Sequence, residues 1–319
     1  MRDTAVVLLN LGGPLRSRNV EGFLYRLFSD RDIIKFPGPA FLQPLFATLI
    51  SKARRREVEA RYEEIGGGSP ILRETAAQAS ALRAALHGMG CAVPVKIIFR
   101  YTSPRAAGEL RALKGQGIRR LLPVTLYPHD CRATTGSSLV ELEREAKALG
   151  LEVLPGVLHY ATDPDYVEAL AAPLAEALRA LPEAVVVFSA HSLPRKQIEQ
   201  GDPYEREIEA TFAAVKARVG EAPGGYRLAY QSKVGPIQWL EPELGSVLRT
   251  LGGKDVIVLP VSFVTEHIET LHELDIQFRE VAQAAGVRSY RRLPAPAVAP
   301  AYIRCLARRT REALEAMEH

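Results

Sequence analysis

The sequence predicts an α/β protein of two similar lobes, each a four-stranded parallel sheet flanked by helices, with a cleft between them. Three observations predict it. Eight short strand-like segments, most of them apolar, alternate with longer stretches whose apolar residues recur at helical spacing. Several of these runs, such as AVVLLN and DVIVLPV, are apolar without alternation, as strands covered on both faces are. The strand–helix plan occurs twice along the chain, which predicts two doubly wound sheets. The expected lobes are 1–160 and 161–299, with a C-terminal helix, 300–319, that can pack back on the first lobe.

Taken in order, Ala5–Asn10 is the first strand and ends in the turn Gly12-Gly13-Pro14. Asn19–Phe28 has helical spacing. The segment from Phe36 to Arg56 is apolar and broken by Pro37, Pro39 and Pro44, then basic through Lys52, Arg54, Arg55 and Arg56. It reads either as a helix pair with a solvated charged face, or as an exposed apolar lip beside a basic collar, suited to a membrane surface or a greasy ligand. Gly66-Gly67-Gly68-Ser69 is a turn before a helix, and its amides could face an anion. It is not a P-loop, because no Gly-Lys-Ser/Thr follows. Pro94–Tyr101, Arg119–Tyr127 and Leu151–Leu158 are strands two to four, and the polar loop before Leu139 can cap a helix running to Leu149. Asp163-Pro164 opens the next helix with an N-cap and a proline at N1. The second lobe repeats the plan, with strands at Ala184–Ala190, Tyr226–Ser232, Asp255–Val261 and Arg288–Pro294, a helix over His267–Ala285 and a last helix from Ala301.

The chain has 319 residues, 47% hydrophobic and 24% charged, with net charge +4. That is ordinary for a globular protein with a core, and too weakly basic to argue for nucleic acid. Cys91, Cys131 and Cys305 are scattered without a CxxC pair, which fits a reducing compartment and excludes a four-cysteine metal site. No apolar run is long enough for a signal peptide or a spanning helix, so a cytoplasmic enzyme is expected.

Ligands bind outside the carboxyl ends of parallel strands. There the sequence places Asn10–Pro14, Arg100-Tyr101 and Tyr127–Asp130 in the first lobe. The second lobe offers Ser189–Ser192, Tyr230–Lys233 and Thr265–Glu269. His191 titrates near neutral pH, so it can take a proton or bind a metal, or it can simply be hydrogen-bonded in a turn. Phe263–Asp275 packs His267, Glu269, His272, Glu273 and Asp275 into one short stretch. On an α-helix Glu269 and Glu273 share a face and His272 joins them; the alternative is an exposed charged face. HExxH and G-x-S-x-G are absent, which removes zincin and serine-hydrolase readings. The donor types suit Fe²⁺ or Mg²⁺. The His191 loop and the Glu269 stretch are expected to form two walls of a metal-handling cleft.

These residues resemble the ferrochelatases, enzymes that insert ferrous iron into a porphyrin to make heme. The resemblance runs through LLNLGGP, FLYRLFSDRDII, RYEEIGGGSPI, FRYTSP, TTGSSL, FSAHSLP, GDPYEREIEAT, YQSKVGPIQWLEP and FVTEHIETLHELDIQF, in order. It implies Rossmann-like lobes around a cleft. His191 and Glu269 are implied as catalytic, and His191, Glu269 and Glu273 as metal-handling. Leu11, Ser69, Arg100, Tyr101, Tyr127, Lys233, Trp239, Phe263 and His267 are implied to lie near the porphyrin, and Asp275 to extend an acidic trail. Arg100 and the Gly66–Ser69 amides are the expected propionate partners, and Leu11, Tyr101 and Phe263 the packing that distorts the ring. His191 and Glu269 would divide proton removal and metal handling from opposite faces of the macrocycle. Fe²⁺ is then a substrate, and no iron–sulfur cluster is expected, since the cysteine-rich extension of some members is missing and Cys131 lacks partners. The Phe36–Arg56 lip would admit the porphyrin edge and contact the inner face of a membrane peripherally. LNLGGP leans toward protoporphyrin; a coproporphyrin enzyme and a non-catalytic heme or metal carrier are the alternatives.

Overall fold

Thr4–Asn10 (β1) is buried along its whole length, so its apolar run needs cover on both faces. A computed structural model, describing residues 3–31, 33–34, 36 and 38–317, supplies that cover. By internal contacts the chain divides into a first unit, 1–159 with 306–319, and a second, 160–305.

In the first unit β1 is flanked by β2 (Val95–Phe99) and β3 (Arg120–Thr125), with β4 (Glu152–Val153) beyond β3. All pairs are parallel; Val6 lies opposite Val95 on one side and Leu122 on the other. Helices α1 (Val20–Ser29), α2 (Gln43–Glu64), α3 (Ile71–Gly88), α4 (Ala106–Gly115) and α5 (Ser137–Leu149) belong to this unit. Val7, Leu9, Ile98 and Leu121 from the sheet pack with Leu110 and Leu113 of α4 and Leu142 of α5.

In the second unit β5 (Val185–His191) lies between β6 (Tyr226–Gln231) and β7 (Asp255–Pro260), with β8 (Ser289–Arg292) outside β7. The order is again second, first, third, fourth, and again parallel. Its helices are α6 (Pro164–Ala180), α7 (Arg195–Glu199), α8 (Tyr204–Val219), α9 (Leu244–Arg249) and α10 (Phe278–Ala284), and α11 (Pro300–Glu315) begins in this unit and ends in the first. Val187, Ala229, Val256 and Val258 pack with Leu244, Leu248 and Leu274. Each lobe is a Rossmann-like α/β layer structure, as the alternating pattern predicts. Because β6 and β7 flank β5 on opposite sides, the carboxyl end of β5 is a topological switch point, and His191 ends that strand.

Two segments depart from expectation, one expected as a polar loop before Leu139 and one as part of an α-helix. Arg132–Gly136 and Glu269–Gln277 are π-helical, the second running directly into α10. The expected helix over His267–Ala285 is therefore a π-helix followed by an α-helix. Sequence spacing does not separate the two for Glu269 and Glu273, since residues four apart fall near each other in both.

The Gly66–Gly68 turn also differs from expectation. The Gly66 and Gly67 amides donate to Glu63 and Tyr62 carbonyls, closing α2, and the Ser69 amide donates to Pro14. These amides are consumed within the fold rather than offered to an anion. Gly67 has φ +87°, and a Cβ on Gly68 would come within 2.3 Å of the Leu15 carbonyl oxygen, so both positions need glycine.

Candidate active site

The carboxyl edge of the second sheet assembles the site. The His191 amide donates to Ser262 Oγ at 2.9 Å, and its carbonyl accepts from the Tyr204 hydroxyl at 2.9 Å. With the backbone held from two sides, the ring is placed with Nδ1 2.8 Å from Glu269 Oε2. That contact leaves Nε2 available. The two side chains are about one-third exposed, 34% and 30%, so the pair is reachable from outside.

This distance corrects the expectation that His191 and Glu269 face each other across a macrocycle. A flat ring between two groups needs roughly 7 Å, twice an ordinary carbon contact. Atoms hydrogen-bonded at 2.8 Å leave no such gap, so the two groups stand side by side and not on opposite faces of a ring. Both residues also belong to the second unit.

Behind the pair, β6 controls the second acid. Gln231 Nε2 donates to the Glu269 carbonyl at 2.9 Å and to Glu273 Oε2 at 3.0 Å. Its Oε1 accepts from Ser189 Oγ at 2.6 Å, which fixes the orientation of the amide. The Ser232 amide donates to Glu273 Oε1 at 2.7 Å and its hydroxyl to Oε2. Ser232 holds φ +67°, a left-handed conformation unusual for a non-glycine residue. Glu273 is thus held by β6, and among the described residues no group of three His, Cys, Asp or Glu side chains forms a preformed metal set. The expected trio of His191, Glu269 and Glu273 is a bonded pair with a tethered third carboxylate.

His267 lies beside the pair. Its Nδ1 accepts from the Glu269 amide at 3.2 Å, which puts the proton of the neutral ring on Nε2. Phe263 stands edge-on to both histidines, its centroid 4.6 Å from His267 and 6.5 Å from His191. His272, expected on the Glu269 face, is buried at 4%. The i→i+5 helix has a wider turn than the 3.6 residues of an α-helix, so a residue three along falls further round. Asp275 forks with Arg292 and so leaves the expected acidic trail.

The titration preferences of these groups are pushed apart. Burial draws His191 toward its neutral form, but the Glu269 charge and hydrogen bond, with Glu273 behind, prevail and raise its pKa above the ordinary 6.5. Burial also disfavours the Glu269 carboxylate, yet His191 and then His267 bring its pKa down to about 2. Glu273 moves up, from burial and then from repulsion by Glu269. His267 moves down, chiefly from burial. Pairs split this way are the mark of acid–base machinery.

The remaining expected contacts vary. Lys233 sits 3.8 Å from Glu241, and both line a cavity of about 570 Å³ with Ser232 and Glu273. Trp239 pairs its backbone with Pro194, and its indole N–H is buried without a hydrogen-bond partner. In the first unit Leu11 and Tyr127 are partly exposed on the carboxyl edge, and the Tyr127 hydroxyl is 3.3 Å from Ser138 Oγ. Ser69 is 8% exposed, its hydroxyl accepting from the Ile71 amide. Arg100 and Tyr101 correct the sequence expectation. Arg100 donates to Asp30 and Ser137, lies 3.3 Å from Glu141, and covers the Tyr101 ring. Tyr101 is 1% exposed and donates to Asp30 at 2.6 Å. The guanidinium fork serves a buried ion cluster instead of a propionate, and the Tyr101 ring is closed to a macrocycle. Asp30 and Glu141, far away in sequence, carried no signal of this; Gln231 and Ser232 carried one, their place on the carboxyl edge beside β5.

Twin parallel α/β lobes of this kind make a fold shared by solved chelatases. The cobalt complex of sirohydrochlorin chelatase SirB from Bacillus subtilis subspecies spizizenii shares it at TM-score 0.56 and 14% identity, over 99% of this chain and 97% of that one. CbiX, described as the terminal enzyme of siroheme biosynthesis in denitrifying bacteria, aligns at TM-score 0.53 and 14% identity over 98% of each chain. At such identities the likeness is of fold. A ferrochelatase family profile matches residues 3–314. Ferrochelatase of Geobacter metallireducens is 44% identical over 97% of this chain and 98% of its own length. The Synechocystis enzyme is 40% identical over 98% of this chain and 83% of its own. The chain belongs to the ferrochelatase family, the iron chelatases of heme biosynthesis. Among its described residues no helix is long and apolar enough to cross a membrane.

Proposed function

We propose that the protein inserts ferrous iron into protoporphyrin IX to give protoheme, the last step of heme formation. The observation that carries the site assignment is the His191–Glu269 hydrogen bond at the switch point of the second sheet. Insertion removes two pyrrole protons and strips water from Fe²⁺. A neutral His191 accepts the two pyrrole protons in turn at Nε2, releasing the first before it takes the second, while Glu269 orients the ring and stabilises the imidazolium. Glu269, depressed to about 2, is a poor base, whereas Glu273, raised, suits onward proton transfer. Metal ligation needs the same groups deprotonated, so the ferrous substrate meets the pair as its proton leaves. Phe263, His267, Leu11, Tyr127, Ser69, Lys233 and Trp239 stay assigned to porphyrin.

Protoporphyrin is favoured by the LNLGGP turn after β1, where coproporphyrin types carry tyrosine. The absence of an iron–sulfur cluster remains our assignment, with the three thiols buried and dispersed. Peripheral membrane contact falls to α2 and the turn before it, where Phe41 in the turn and Leu45 and Leu49 on α2 are 78%, 55% and 57% exposed beside exposed Lys52 and Arg56. Phe36 is not part of that face; it packs on Phe46 with centroids 5.6 Å apart. Pro37 lies outside the described residues.

The test offers protoporphyrin IX and coproporphyrin III in turn with Fe²⁺ under anaerobic conditions and follows the visible bands. His191→Ala is expected to abolish turnover while porphyrin fluorescence still reports binding. An active His191→Ala enzyme contradicts the assignment.

A further inference from the structure

A π-helix is rarer than an α-helix, and Glu269–Gln277 contains good α-formers in Glu and Leu. Something in the fold must select the wider turn. β8 supplies it. Tyr290 and Arg292 are two apart on this strand and share one face, while Arg291 between them is exposed. The Tyr290 hydroxyl donates to the Leu274 carbonyl at 2.9 Å. Arg292 reaches both ends of the segment. Its Nη1 donates to Glu266 Oε1 at 2.6 Å, just before the helix, and its Nε and Nη2 fork onto Asp275 near the end. The Arg292 side chain is only 9% exposed. Arg279 donates to the Asp275 carbonyl at 2.9 Å and its guanidinium lies over the Tyr290 ring, tying the start of α10 to the same strand.

We infer that Arg292, with Tyr290 beside it, is the positioning residue that holds this segment in the π register and so sets where Glu269 and Glu273 stand. The wider turn climbs less per residue than the 1.5 Å of an α-helix. One guanidinium reaches Glu266 and Asp275 together only while the segment between them stays short. In an α-helix Asp275 would move away from Glu266 and Glu273 would rotate off Gln231 and Ser232. The partners of Arg292 are Glu266, Asp275 and the Leu293 carbonyl, so it acts on the acids through the helix.

The inference rests on the chelatase reading, so wild-type turnover is measured first, and an inert wild type counts against that reading alone. Arg292→Met, Arg292→Lys and Tyr290→Phe are then assayed with Fe²⁺ and protoporphyrin, alongside porphyrin binding by fluorescence, thermal midpoint and hydrogen exchange across 269–277. Displacing an acid by about 1 Å lowers turnover on the order of 100-fold. Arg292→Met is expected to lose kcat on that scale and raise KM for metal, with porphyrin affinity within twofold and faster exchange in 269–277. Arg292→Lys is expected to recover part of the loss. Tyr290→Phe, which keeps the ring, is expected to lose about two- to tenfold in kcat, and it carries the test if Arg292→Met does not fold. Variants with a lowered midpoint but unchanged kcat and metal KM would overturn the inference. So would a loss of kcat that follows porphyrin affinity.

Discussion

At the scale of single residues, His191 is governed by Glu269. Whether His191 takes a proton or meets the metal, its ring must be neutral, so turnover rises with pH through its raised pKa. Glu269→Gln removes the main charge and hydrogen bond that raise it, leaving the weaker Glu273 charge against burial, which lowers it. The acidic limb of the pH–rate profile should move to lower pH, while turnover falls about 10² to 10⁴-fold. A limb that stays in place would show that Glu269 does not control His191. The same pair contributes to stability. The depressed Glu269 contributes above its ordinary pKa of 4.5 and is lost as pH falls toward about 2. The raised His191 contributes below its ordinary 6.5 and is lost as pH rises through its folded value. The stability gap between wild type and Glu269→Gln should therefore be widest between pH 4.5 and 6.5, as thermal midpoints across pH would show.

At the scale of elements, helix type and ion clusters decide which side chains work. Arg100 on the first sheet's edge looked like a propionate fork, but Asp30 and Glu141 hold it. Arg100→Met should destabilise the fold by about 3–5 kcal/mol in urea unfolding, because it leaves buried carboxylates uncompensated. Porphyrin affinity of the folded fraction should stay unchanged. On α2 and the turn just before it the exposed apolar residues make a separable surface: Phe41→Ser with Leu49→Ser should reduce co-sedimentation with anionic vesicles without changing turnover in detergent. The site was partly legible at this scale. His191, Glu269 and Glu273 were readable because strand ends and a dense run of acids are local signals. The π register was not, since Glu269 and Glu273 fall close in both helix types, and only His272 and Asp275, turned elsewhere, show the difference. Nor could spacing reveal that Arg292, on a strand beyond the acids, holds the segment between its ends.

At the scale of the whole molecule, the strand–helix repeat made the fold legible. Among the described residues the eight strands of the two sheets overlap the expected segments; the central β1, β5 and β7 lie on near-continuous apolar runs, as parallel strands covered on both faces need, while the edge strand β8 is largely polar. The shared strand order of the two sheets puts the carboxyl ends of β1 and β5 at equivalent switch points, and each lobe presents its polar residues there. What sequence could not give was that His191 and Glu269 stand side by side; a 2.8 Å contact within one lobe shows it. The central claim is that this pair drives iron insertion. Anaerobic mixing of Fe²⁺ and protoporphyrin IX with wild type and with His191→Ala, followed through the Soret and Q bands, tests it most directly. The account predicts many turnovers to protoheme by wild type and none above background by the variant, with porphyrin still bound. Stoichiometric binding without turnover by wild type, or insertion by His191→Ala, would contradict it.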